Sequence, residues 1–117
     1  MSEQARRKQL RAQYKLSRPE AGVYRIVNGA NGKALLGATP NLPSIRGKLE
    51  FAQATNTPGV LDGRLNKDIR RYGLQAFSLE VLEVLEIKPE MTPAELLQDL
   101  AALDELWRER QDPALLY

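Results

Sequence analysis

The chain has 117 residues, 43% of them apolar and 27% charged, with no Cys and no His. That length and apolar content suit one compact domain, and the longest apolar run is a few residues, far short of the roughly 20 that a membrane span needs. The two missing residue types exclude disulfides, thiolate zinc sites and the Ser-His-Asp, Cys-His and zinc-hydrolase chemistries. The first twenty residues carry Arg6, Arg7, Lys8, Arg11, Lys15 and Arg18 without an apolar segment. They do not read as a secretory signal, and a cytoplasmic location with no membrane partner is expected.

A net charge of +2 conceals a split: 14 Lys and Arg against 5 Asp and Glu through Arg71, or +9, and 3 against 10 from Tyr72 onward, or −7. Such asymmetry points to one surface that meets a polyanion, unless the charges only solubilise exposed faces.

Residues 3–16 lack Gly and Pro and are rich in Gln, Arg, Lys and Ala, which predicts a basic helix, thinly apolar along Leu10 and Tyr14. Residues 1–18 are therefore expected as a basic helix or arm and 19–117 as a single domain, with Pro19 ending the helix. Gly22 to Asn28 alternates and is β-branched, and Lys33 to Thr39 follows after the pairs Asn28-Gly29 and Asn31-Gly32. Both residue types tolerate positive φ, so a strand, a hairpin turn and a second strand are expected.

From Asn41 to Thr55, Leu42, Ile45, Leu49 and Ala52 fall at helical spacing, with Thr39 or Asn41 as cap. A shorter helix is expected from Gly63 to Tyr72, stopped by Gly73. Phe77 to Ile87 fits both a helical and a strand period; its Val, Ile and Phe content, with Gly73 before and Pro89 after, favours a strand. Thr92-Pro93-Ala94-Glu95 is a capping box, and Leu96, Leu97, Leu100, Leu103 and Trp107 form the stripe of a last helix.

This order of elements, with Gly-Val-Tyr24 on the first strand and Leu35-Leu-Gly37 on the second, resembles the GIY-YIG nuclease family. Asn28-Gly-Ala-Asn-Gly-Lys33 is similar to the loop joining the two halves of that motif, and Asn41-Leu42 to the start of the family's first helix. Leu65 to Gly73 and Phe77 to Glu83 resemble its Tyr-Gly-ended helix and third strand, so the likeness runs from Ala21 to about Arg110. It implies an α+β fold: a small, mainly antiparallel three-stranded sheet flanked by helices. It also implies phosphodiester hydrolysis with a divalent ion such as Mg²⁺ on one carboxylate, because the anionic diester needs cationic groups to take up charge in the transition state.

Carried over residue by residue, Tyr24 matches the first catalytic tyrosine. Leu35 stands where the family has the second, and cannot donate a hydrogen bond. Arg46 is the candidate for the phosphate arginine, but lies one residue beyond the family's spacing from Gly37, with Ile45 in the expected place; on a helix that is a rotation of about 100°. Asp104, three before Trp107, matches the metal glutamate and falls near the edge of the apolar stripe; pairing with an arginine would explain it equally well. Arg6, Arg7, Lys8, Arg11 and Lys48 are expected to meet nucleic acid, most simply DNA. The resulting expectation is a nucleic-acid-binding domain with weak or lost metal-dependent hydrolysis. The alternatives are an active magnesium-dependent endonuclease and a non-catalytic protein-interaction module.

Overall fold

A computed structural model describes residues 20–117; the basic segment with Arg6, Arg7, Lys8 and Arg11 lies outside the described residues. Three strands, β1 (Ala21–Asn28), β2 (Ala34–Thr39) and β3 (Phe77–Leu85), form one antiparallel sheet in the order β2-β1-β3. β1 is central because both of its neighbours read its alternation: Ile26 faces Leu35 on one side and Leu79 on the other. The hairpin between β1 and β2 is tied by its asparagines. The Asn28 side chain accepts from the Ala30 N–H at 2.9 Å and that of Asn31 from the Lys33 N–H at 3.0 Å, while Gly32 takes φ +77°. The second strand starts at Ala34, one residue later than expected, because Lys33 belongs to this turn.

The ambiguous stretch after Gly73 is a strand. It pairs with β1 from Asn28↔Phe77 to Ala21↔Leu85, with a register shift between Val23 and Tyr24. The strand runs Phe77–Leu85, two residues short of the expected Ile87.

Helix α1 (Leu42–Thr55) starts on Asn41, whose side chain accepts from the Ser44 N–H at 3.2 Å, and ends on Asn56 in the left-handed region. The second expected helix is divided. Asp62 caps a 3-10 turn over Gly63–Leu65, accepting from the Arg64 N–H, and α2 proper runs Asn66–Tyr72. The tighter turn lets Leu65 drop into the interior with no exposure at all. α3 (Pro93–Glu109) starts on Thr92, which accepts from the Glu95 N–H.

The main core lies on the face of the sheet carrying Ile26 and Leu35, against Leu49 and Ala52 of α1 and Ile69 of α2, with Leu65, Leu74 and Phe77 between them. α3 packs against β1 and β2 through buried Leu100. Its expected stripe is narrower than the sequence suggests, since Leu97 is 58% exposed. Trp107 Nε1–H donates to the Glu83 carboxylate at 3.0 Å, which ties α3 to β3, while Arg25 joins Glu80 at 2.9 Å within the sheet and Gln111 just past α3 at 3.1 Å. Beyond α3, Leu116 bridges to Ala34 and the Tyr117 N–H donates to the Ala34 carbonyl at 3.0 Å. Among the described residues no helix is long and apolar enough to cross a membrane.

Candidate functional site

Tyr24 is opposite Gly37 across the β1–β2 ladder. Its phenol lies over that glycine so closely that a Cβ there would come within 2.8 Å of the hydroxyl. The Gly of Leu35-Leu-Gly37 thus leaves the space that the ring of Gly-Val-Tyr24 fills. Leu35 is two residues along on the same face, so the two motif halves meet as expected. Around them opens a cleft of about 330 Å³, lined by Tyr24, Leu35, Ile45, Lys48, Asp62 and Arg64 among others.

Lys48 therefore faces the cleft, whereas Arg46 does not. Arg46 lines a separate groove with Glu20, Leu42, Pro43 and Glu50, because α1 runs regularly from Leu42 and the extra residue turns it away; Ile45 takes the cleft-facing place. The cation that does reach the cleft is Arg64, which the sequence did not single out. Its Nε and Nη2 donate to Asp62 at 3.1 and 2.8 Å, and this pairing brings the Asp62 carboxyl down to about 2. The only local trace of it is a charged pair, Asp62-Gly-Arg64, in a loop whose direction no periodicity reveals.

Asp104 approaches from α3. One turn before Trp107, it is near enough for its charge to act on the Tyr24 phenol. Burial first, then the carboxylates of Asp62 and Asp104, push that phenol above its ordinary value, against the opposing pull of Arg64. At neutral pH Tyr24 is consequently a protonated donor and cannot take a proton from water. Asp104 is itself paired: both of its oxygens accept from Arg108 Nη2 at 3.3–3.4 Å, and the same nitrogen donates to the Leu36 carbonyl at 3.4 Å.

A divalent ion of the kind the family resemblance implies would look for carboxylate oxygens here. Asp104 has a guanidinium on both oxygens, Asp62 has another, and among the described residues no three acidic side chains converge. Magnesium can be held by one or two carboxylates with water and phosphate, but these two are already neutralised. The donor set does not fit a resident cation unless the Asp104–Arg108 pair opens.

A second polar cluster closes the far end of the sheet. Asn28, with no exposed surface, donates through Nδ2 to the Tyr117 hydroxyl at 3.2 Å, and that hydroxyl donates to Asp68 at 2.5 Å. Asp68 also accepts from Asn31 at 3.0 Å. The Tyr117 and Asn31 donors lower the Asp68 carboxyl, while burial and Asp68 raise the Tyr117 phenol. With every polar group partnered, this cluster reads as architecture.

No family model matches the chain, and no curated protein sequence matches it. Among solved structures, the catalytic domain of the intron endonuclease I-TevI, in a point-mutant form, is similar with a TM-score of 0.56 at 15% identity, over 78% of this chain and 82% of that one. At that identity the likeness concerns the fold. A three-stranded antiparallel sheet with flanking helices, in this order, gives the chain the GIY-YIG endonuclease-like α+β fold.

Proposed function

We propose that this domain binds nucleic acid on a nuclease-like fold and has weak or lost metal-dependent hydrolysis. The observation that carries the reading is the composition of the Tyr24 cleft. Its cations, Lys48 and Arg64, are in place, while Leu35 and Ile45 occupy the two positions where the family resemblance implies a tyrosine and an arginine. Cations facing a cleft attract phosphate by charge whether or not a bond is cut. Cutting needs more: an acceptor for the proton of water and charge neutralisation on the diester. Tyr24 is protonated, and Asp104 and Asp62 are committed to arginines. The approach of Asp104 to Tyr24 is the one feature on the side of retained cleavage, so the test measures both activities.

The test pairs a salt-titrated binding assay on short DNA with a plasmid-nicking assay in magnesium. Binding that weakens with salt is expected, with little or no nicking. Lys48→Gln and Arg64→Gln should each lower the slope of log affinity against log salt by about 0.9 on duplex DNA. Brisk nicking that disappears in Tyr24→Phe and Asp104→Asn would establish the active endonuclease instead. Absence of both binding and nicking would leave the interaction module. Leu35→Tyr returns a phenol to the cleft and should raise any residual nicking, provided the variant still folds, since overpacking there can cost about 1–3 kcal/mol.

A further inference from the structure

The aliphatic replacements change what the cleft can hold as well as what it can catalyse. Ile45, Val60 and Leu61 line the cleft with aliphatic surface above the buried Leu35 and Ile26, and the charged groups Lys48, Asp62 and Arg64 stand beside it. Val60, on the 3-10 turn Pro58–Val60, is 39% exposed and presents aliphatic surface that no core residue covers fully. At about 330 Å³ the cleft is at the small end of sites that enclose organic ligands of roughly 300–1,000 Å³. Aliphatic surface, one phenol, Lys48 and the Asp62-paired Arg64 suit a flat, weakly polar ring joined to an anion.

We infer that the Tyr24 cleft takes an unpaired nucleobase together with its adjoining phosphate, the base against Ile45, Val60 and Leu61 and the phosphate at Lys48 and Arg64. This rests on the nucleic-acid reading above and specifies its ligand. In a duplex the bases are stacked and paired, so the backbone can reach the cations but nothing covers the aliphatic surface; an unpaired base can enter and exchange water for aliphatic contact. Arg64 is arranged for the anion. Its Nε and Nη2 hold Asp62, which fixes the guanidinium plane, and among the described residues its Nη1 donates to no protein acceptor, leaving that nitrogen for a phosphate oxygen. Asp62, held on both oxygens by the same arginine, has little capacity left to read the base edge, so discrimination among bases should be slight.

The test uses a single-stranded 12-mer with 2-aminopurine at its centre, the same strand annealed to its complement, and 2-aminopurine nucleoside monophosphate. The expected result is a saturable change in 2-aminopurine emission with the single strand and affinity about tenfold tighter than for the duplex at equal salt. Val60→Asn, neutral and at an exposed position, should lower single-strand affinity about fivefold while the melting temperature stays within about 2 °C of the parent. The monophosphate arm identifies the source: binding by the monophosphate as tight as the 12-mer, with the same Val60 sensitivity, assigns the pocket to a free nucleotide, and weaker binding assigns it to a strand. Duplex binding as tight as single-strand binding, with unchanged emission and no effect of Val60→Asn, overturns the pocket while leaving nucleic-acid binding intact. Failure of every probe at low salt overturns both readings.

Discussion

Gly22 is the position where one methyl group should do the most damage, and the structure shows why. It lies in β1 beside the register shift that separates Val23 from Tyr24, so its backbone approaches β3 unusually closely. A Cβ built on Gly22 would be 2.1 Å from the Glu83 carbonyl oxygen and 3.1 Å from both Val84 Cα and Leu42 Cδ1. Real Cβ contacts essentially never fall below 3.0 Å, so β1 and β3 would have to part by at least 0.9 Å, and the atom in the way is backbone that cannot rotate aside. Overpacking typically costs about 1–3 kcal/mol, and a clash against sheet backbone belongs at the top of that range. The opposing gain is small, because replacing Gly with Ala stiffens the unfolded chain by about 0.4–1 kcal/mol.

The net expectation for Gly22→Ala is a loss of about 2 kcal/mol and a melting temperature lower by about 10 °C. Gly47→Ala is the internal control. It sits in α1 with nothing within 4 Å of the added carbon, so helix propensity acts unopposed and stability should rise by about 0.5–1 kcal/mol, or about 4 °C. Thermal unfolding followed by circular dichroism measures both variants side by side. A Gly22→Ala protein that melts at or above the parent would refute the close approach of β1 to β3; a Gly47→Ala protein that melts lower would refute the open environment on α1.

Gly37→Ala meets the far end of the Tyr24 ring, which can move, so the domain should stay folded while the phenol is displaced. Its titration, followed by NMR on labelled tyrosine, should fall back toward the ordinary tyrosine range, and an unmoved midpoint would reject the packing of Tyr24 over Gly37. Tyr117→Phe removes the acceptor for fully buried Asn28 Nδ2, for an expected loss of about 1–3 kcal/mol in urea unfolding; an unchanged midpoint would show that the cluster contributes nothing. The Asp62–Arg64 pair has a definite pH window. Because the folded carboxyl sits at about 2, below its unfolded value of 3.8, the pair's contribution is complete above pH 4 and is lost as pH falls through 2. Carboxyl NMR should place the Asp62 midpoint near the lower end of that window, and a midpoint near 3.8 would mean that Arg64 is not held.

Much of the scaffold follows from short-range chemistry and was legible from the chain alone. The Asn-Gly hairpin, the Asn41 and Thr92 caps and the Gly73 stop each depend on residues within a few positions of one another, so their outcome is settled before distant parts of the chain meet. The one-residue offset that turns Arg46 from the cleft and Ile45 into it was readable for the same reason, since it needs only the helical repeat. Other features had no local cause. Phe77 to Leu85 carries two competing periods, and the open edge of β1 decides for the strand by supplying hydrogen-bond partners along its length. Arg64 lines the cleft from a 3-10 turn whose next residue, Leu65, is buried in the core, a placement that depends on that tertiary burial. Asp104 acts on Tyr24 by its charge only once α3 is docked on the sheet, where Trp107 holds it to Glu83, whereas its pairing with Arg108, one turn along the same helix, is local. The identity of the charged groups that converge on one cleft is a property of how helices dock, and docking is governed by side chains tens of residues apart in sequence.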